Sequence, residues 1–415
     1  MTPPPATAAA IPPGGEAAAV PPPVAATAHP PLTMALLNVA HAIDHLVLLI
    51  FATAVGAIAA DFGFARWEEL MPYTTGAFVM FGLGAAPAGK LGDHWGRRAM
   101  MLVFHFGIGL SCLLAAVTQN AWQLAAALTL MGAFASIYHP VGIPMLVQHT
   151  TRPGAVIGVN GLVGNLGIAV AAVMTGLLVK YFGWRMAFAV PGVLTILFGF
   201  VFWRLVAPED APPARRKPKQ ADLSRGEVVR AVLILTITST CGSLVFNFTT
   251  NGNGELLADR MRSITADPAT IGALLGLVYV IASFAQLVVG RAIDRYPLKR
   301  IFLVIVLAQV PLFMLAIFAT GWAFYALAIA FMAFVFGAIP FTDAIIVRYV
   351  DDRSRSRVAG VRFAIAFGVS AAAVWLLGPL VKANGFGFLL GLMAVIAVVA
   401  AVAVTRLPAP PAARA

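Results

Sequence analysis

The chain has 415 residues, 60% of them hydrophobic and only 11% charged, with a mean hydropathy of +0.89. Soluble domains carry about 25% charged residues, so this composition excludes an ordinary soluble enzyme, and the formal net charge of +11 has to be explained within a lipid-embedded chain. The two cysteines, Cys112 and Cys241, fall inside apolar runs without paired spacing, which argues against both a disulfide framework and a zinc motif.

Residues 1–32 are rich in Pro and Ala, hold no Lys or Arg and have no long apolar core. They predict a disordered cytoplasmic tail and not a signal peptide. Crossing about 30 Å of hydrocarbon takes roughly 20 apolar helical residues. Twelve runs of that kind lie near 33–59, 71–91, 99–119, 121–147, 155–180, 185–206, 227–250, 270–293, 299–319, 321–347, 356–382 and 384–406. Their short connectors leave no room for a soluble domain, which argues against a membrane-tethered enzyme. The expected fold is all-α and integral to the membrane, with twelve transmembrane helices in two six-helix bundles.

The first span, "NVAHAIDHLVLLIFATAVGAIAA" (38–60), places His41, Asp44 and His45 in an otherwise apolar helix. Asn38, His41 and His45 share one helical stripe, with Asp44 at its side. A charge at mid-membrane costs about 2.5–3.5 kcal/mol even on lenient scales, so such residues face a bundle interior or a wet cavity. A titratable group that passes between a wet and a closed site changes its proton affinity. Asp44, with His41 and His45, is therefore the expected proton-coupling cluster; the competing reading is that the three only pin the first helix to a neighbour.

After the second span comes "GKLGDHWGRR". Gly89 lets helices approach closely, and Asp93 is expected to accept from a neighbouring helix N-terminus and to pair with Arg97 or Arg98. In the fourth span Pro140 and Pro144 predict a bend beside Tyr138 and His139, and broken helices lining a cavity are where transporters bind. The fifth span carries small residues at 154, 158, 161, 164 and 167, expected to pack helices closely, and leaves Asn160 and Asn165 as possible polar contacts. The Pro-rich, basic stretch 207–226 is expected to be a cytoplasmic linker dividing an N-terminal bundle (33–206) from a C-terminal bundle (227–406), followed by a tail at 407–415. At the end of the seventh span, "VFNFTTNGNGE" sets Asn247 and its polar neighbours at a vestibule or a frayed, hydrated end, the latter being favoured slightly. Asp343, in the tenth span, is with Asp44 one of two acids read as lying within a span.

With both termini taken as cytoplasmic, every Lys and Arg except Arg66, Lys180, Arg185, Arg260, Arg262 and Lys382 lies on the inner side. That is the positive-inside asymmetry, so the basicity is topological and nucleic acid is not expected as a partner. The chain also repeats itself. "GRAIDRYPLKR" after the eighth span pairs Gly290, Arg291, Asp294 and Lys299 with Gly89, Lys90, Asp93 and Arg98 at a separation of 201 positions. The same separation sets Pro340 opposite His139, and Asp343 one turn beyond it.

The stretch Gly89-x-x-x-Asp93-x-x-Gly96-Arg97-Arg98 resembles the signature between the second and third helices of the major facilitator superfamily. The twelve spans, the basic central link, the decayed second copy and "FGWRMAF" (182–188) share that resemblance over about residues 33–406. It implies that Gly89, Asp93, Gly96, Arg97, Arg98 and Asp294 form a conformational switch that stabilises an outward-open state. A narrower resemblance, in His139-Pro140 and Gly164-Asn165-x-Gly167, is to the fosmidomycin-resistance branch.

The expected function is a secondary active transporter that exports a small organic compound in exchange for protons by alternating access. Asp44, His41, His45 and Asp343 are assigned to coupling, and Asn38, Tyr138, His139, Asn165 and Asn247 to the substrate cavity. The alternatives are a proton-linked importer of a nutrient or anion and a non-transporting sensor or scaffold on the same fold. Methionines are scattered without ligand spacing and no phosphate loop or nucleophile elbow occurs, so neither a metal nor a cofactor is expected. The expected setting is a monomer in the bacterial inner membrane.

Overall fold

The computed structural model describes residues 30–148, 153–208, 225–341, 345 and 352–407; among them there are helices and turns and no strand. Asp343, the expected tails up to residue 29 and beyond 407, and residues 209–224 of the expected linker lie outside the described residues.

The first half comprises α1 (Pro30–Asp61), α2 (Thr75–Leu83), α3 (Ala85–Trp95), α4 (Arg97–Ala116), α5 (Ala121–Ala135), α6 (Ile143–Val147), α7 (Pro153–Phe182) and α8 (Trp184–Leu205). The second comprises α9 (Arg225–Arg260), α10 (Pro268–Arg295), α11 (Leu298–Phe318), α12 (Gly321–Gly337) and α13 (Asp352–Thr405). Among the described residues 10 helical segments are long and apolar enough to cross a membrane. α2 and α3, end to end through Gly84, make a further span. α13 is two spans in succession, since Gly385 breaks its helical geometry at φ 75° and ψ 171°. The twelve expected spans are thus present, in two six-helix bundles.

Two spans differ from their expected form. The second opens with 3-10 turns at Trp67–Glu69 and Met71–Thr74 before α2 begins. The seventh runs to Arg260, past the expected end at 250, because its polar tail is packed and not hydrated. Asn247, Thr249, Thr250, Asn251 and Asn253 are all buried, and Thr249 and Thr250 donate to the carbonyls one turn back. The favoured reading of a frayed end is corrected accordingly.

The helices of the first bundle pack where side chains are absent. A Cβ on Gly167 would stand 2.2 Å from the carbonyl oxygen of Ala42, so α7 lies directly on the α1 backbone. The fourth span bends as its prolines require: α5 ends at Ala135, a π turn occupies Tyr138–Gly142, and α6 resumes at Ile143.

Among the described residues, the two bundles meet most tightly at the end that carries the α7–α8 and α9–α10 turns. There α7 crosses α10 through Gly176 and Gly272: a Cβ on Gly176 would lie 2.6 Å from the Pro268 carbonyl oxygen and 3.0 Å from Gly272 Cα. Ion pairs clamp the same end, Lys180 to Asp267 at 2.9 Å and Lys382 to Glu69 at 2.7 Å. Trp67 stacks on Phe386 beside them, 5.9 Å between centroids. Both Lys180 and Lys382, isolated positives in the sequence, are thereby explained as inter-bundle clamps. At the opposite end a Cβ on Gly158, Gly290 or Gly368 would meet nothing within 4 Å among the described residues.

The repeat is visible in how the helices are capped. Arg98, opening α4, donates to the carbonyls of Val206 and Trp203 at the end of α8. Lys299, its partner in the second half, donates to the Thr405 carbonyl at the end of α13. In each half the cation after the loop motif satisfies orphan carbonyls at the C-terminus of the last helix, where the helix dipole favours positive charge.

Candidate functional site

α1 presents its polar stripe to the π turn of the fourth span and to α7. His41 is the pivot. Its Nδ1 donates to the backbone carbonyl of Asn160 at 2.8 Å, and its ring stacks on Tyr138 with centroids 4.6 Å apart and planes 9° from parallel. Gly164 makes room for that ring: a Cβ there would stand 2.5 Å from His41 Cε1. Asn160 closes the network, its Nδ2 lying 2.8 Å from Asn38 Oδ1 and 2.7 Å from the Tyr138 hydroxyl. The Tyr138 hydroxyl in turn donates to the Leu37 carbonyl at 2.9 Å.

Three imidazoles converge beside this network. His45 stands edge-on to His41 at 4.7 Å between centroids, and His139 approaches His41 at 5.2 Å. The ligand atoms of His41, His45 and His139 lie within 4.8 Å of one another. Asp44 completes the cluster, with Oδ2 3.6 Å from His139 Nε2. Its side chain is 0% exposed, whereas that of His139 is 25% exposed. Among the described residues neither Asp44 oxygen has a hydrogen-bond partner, and neither does His41 Nε2. Burying a carboxylate without hydrogen bonds is costly unless a compensating group stands beside it.

Of the residues expected here, Asn38, His41, Asp44, His45, Tyr138 and His139 come together. Asn165 is buried on α7 beyond Asn160. Asn247 lies in the other bundle, where its Nδ2 meets the Ser370 hydroxyl at 2.9 Å and joins α9 to α13. The expected pairing of His139 with Asp343 involves a residue outside the described set.

Two residues emerge at or near the site that the sequence had not assigned to it. Asn160, one of two open polar contacts on the fifth span, is the hub of the network. Glu255, taken as part of a helix end, lies inside α9 on the face towards α1, its Oε1 3.0 Å from where a Gly56 Cβ would stand. The signal for it was the unbroken Asn/Gly run "NGNGE", which permits close helix packing as readily as fraying.

The loop motif behaves differently from its expected chemistry. Among the described residues no ion pair joins Asp93 to Arg97 or Arg98, and Asp93 is exposed. Arg98 is drawn instead to the carbonyls of α8, and Arg97 reaches Gln148 Oε1 at 3.5 Å. Gly96 adopts φ 89°, which lets the chain turn sharply between α3 and α4. Gly89 and Gly92 seat α3 on the π turn, a Cβ on each reaching 3.4 Å from Pro140 Cβ and 2.9 Å from Val141 Cγ2. The loop motif thus packs directly on the segment that carries His139. Asp294 is on α10, and its side chain lies outside the described set.

The sequence model of the Major Facilitator Superfamily matches residues 37–253 and 240–415. The chain belongs to this superfamily. Among its relatives, the 4-hydroxybenzoate transporter PcaK of Pseudomonas aeruginosa is 26% identical over 292 residues, 61% of this chain and 64% of that protein. The multidrug resistance protein MdtG of Yersinia enterocolitica is 21% identical over 277 residues, 66% of this chain and 65% of that protein. The chain thus spans just under two-thirds of the length of either relative. Among solved structures, a bacterial homolog to the human lysosomal transporter Spinster, in an inward-facing and unoccupied conformation, superposes with a TM-score of 0.67. It is 14% identical and covers 92% of this chain and 95% of that one, a likeness of fold alone. This member of the Major Facilitator Superfamily is a multi-pass membrane protein.

Proposed function

We propose that the chain is a secondary active transporter that moves a small organic compound by alternating access and exchanges it for protons. The observation that carries the reading is the cluster of Asp44, His41, His45 and His139. It sets a fully buried carboxylate without hydrogen bonds beside three imidazoles, on the wall formed by α1, the π turn and α7. Such a site gains or loses a proton when its access to water changes, and proton relays in transporters are built of these residue types. Asp343 joins the coupling set by its repeat relation to the fourth span.

Tyr138, Asn38, Asn160 and Asn165 line the first-bundle side of the substrate path, and Asn247 the second. Positive-inside charge supports cytoplasmic termini in a bacterial inner membrane. On that orientation the tight end of the bundles faces outward, so the structure is a state closed to the outside. The Gly89 to Arg98 motif acts by seating α3 on the π turn, so that movement of the loop is felt at His139. The reading includes a monomer, since each six-helix half completes the cavity of the other.

Export is favoured by similarity to multidrug resistance proteins. Import of an aromatic acid is the second reading, favoured by similarity to a 4-hydroxybenzoate transporter and by protonatable imidazoles that would hold a carboxylate. Proteoliposomes with a pH gradient of either sign, tested with 4-hydroxybenzoate and with cationic drugs, distinguish them. Accumulation that follows the gradient and collapses with it supports coupling; flux indifferent to the gradient refutes it.

A further inference from the structure

We propose that His41, His45, His139 and Asp44 form a binding site for a divalent transition-metal ion of the zinc, cobalt and nickel kind. The proposal concerns the residues assigned above to proton coupling but does not rest on that assignment. Three imidazole ligand atoms within 4.8 Å of one another are one requirement of such a site. Two come from a His-x-x-x-His pair on one face of α1, and the third from the π turn.

The second, independent observation is that the cluster holds polar groups without partners. His41 Nδ1 gives its proton to the Asn160 carbonyl at 2.8 Å. The lone pair is therefore on Nε2, which is buried with no hydrogen-bond partner. A ring nitrogen fixed by a backbone carbonyl, with the other nitrogen free to ligate, is how metal-binding histidines are oriented. Both Asp44 oxygens are buried and without hydrogen bonds, and Oδ2 lies 3.6 Å from His139 Nε2. An ion among the three rings would neutralise that carboxylate and take it as the fourth ligand.

The donor set selects the metal. Nitrogen and carboxylate ligands suit zinc, cobalt(II) and nickel, whereas copper(I) calls for thiolate or thioether. Cys112 and Cys241 are not among the grouped ligand residues. Metal–nitrogen distances of about 2.0–2.1 Å put tetrahedral ligands about 3.3 Å apart. Nitrogens separated by up to 4.8 Å must therefore draw together by roughly 1.5 Å, within the reach of ring rotation. His139, a quarter exposed beside the buried His41 and Asp44, would supply part of that rotation.

The groups facing the site are His41, Asp44 and His45 from α1, Tyr138 and His139 from the π turn, and the uncharged Asn160 from α7. The Tyr138 hydroxyl is engaged with the Leu37 carbonyl, so it does not ligate. Binding requires neutral imidazoles and an ionised carboxylate, so metal and protons compete for the same atoms. The ion is then either cargo or an inhibitor of any proton-driven cycle.

The test uses the full chain, purified with a tag that contains no histidine and stripped with chelator. It is titrated with cobalt(II), whose visible bands report coordination geometry, and then with zinc. The expected result is one cobalt per chain with tetrahedral bands, displaced by zinc and lost on acidification. H45A, H139A and D44N should weaken binding roughly tenfold or more, with H94A, at an exposed histidine outside the cluster, unchanged. Size-exclusion profiles and thermal midpoints check that the variants fold, and the acid displacement is read on the wild type alone. Absence of tetrahedral bands in the wild type, or equal binding by wild type and the three cluster variants, would overturn the proposal. Proton-driven transport that survives D44N would refute the coupling assignment and leave the cobalt spectrum of the wild type as it is.

Discussion

Replacing Gly176 by Ala should open the tight end of the bundles. The added Cβ would stand 2.6 Å from the Pro268 carbonyl oxygen and 3.0 Å from Gly272 Cα, both backbone atoms that no rotamer change can move aside. Ordinary carbon contacts lie at about 3.5–4.0 Å, so α7 and α10 must part by roughly 0.5–1 Å. Over-packing of this order costs about 1–3 kcal/mol. That cost falls only on the state in which the two helices touch, so the ratio of closed to open should drop by roughly 5- to 150-fold. Spin labels at Phe182, at the end of α7, and at Ile264, between α9 and α10, report the separation of the bundles by pulsed resonance; both sites are exposed, and the native cysteines are buried. The wild type should show predominantly the short distance and G176A a longer one, with G272A behaving alike. An unchanged distribution in both variants would refute the argument that this crossing holds the closed state.

Further expectations follow from the clamps and caps. R98A removes charged hydrogen bonds to the end of α8 and should cost about 1–2 kcal/mol, read as a lower thermal midpoint; K299A should lower it in the same direction, and a variant as stable as the wild type counts against the capping role. The Lys180 ammonium, hydrogen-bonded to Asp267, and then the Thr270 hydroxyl hold the Asp267 carboxyl below its usual range. A depressed carboxyl contributes its stability above the unfolded value and loses it only as pH falls through the folded one. The clamp should therefore stay engaged through mild acidification, and the label distance should lengthen only under stronger acid; in D267N it should be longer and independent of pH.

How far the sequence reached is clearest at α1. The helical stripe of Asn38, His41 and His45, with Asp44 beside it, was legible because four residues of polar chemistry in an apolar span have few places to face. The bend at His139 was legible from Pro140. That His139 would swing onto His41 and Asp44 was not, because the meeting of two helices depends on Gly164 and Gly167 thinning α7, and close approach leaves no pattern beyond small residues. The polar tail of α9 was misread for a related cause: Asn and Thr spend their hydrogen bonds on their own helix, so a buried polar stretch looks like a hydrated one. Asp93 was expected to pair with its neighbouring arginines, yet orphan carbonyls at the end of α8 are the stronger claim on Arg98.

The central claim is that Asp44 carries the coupled proton, and the most direct measurement is uptake into proteoliposomes under an imposed pH gradient. Asp44→Asn preserves shape and removes the titration. The account predicts that this variant loses gradient-driven accumulation while still exchanging labelled for unlabelled substrate at equilibrium. Accumulation equal to that of the wild type would contradict it.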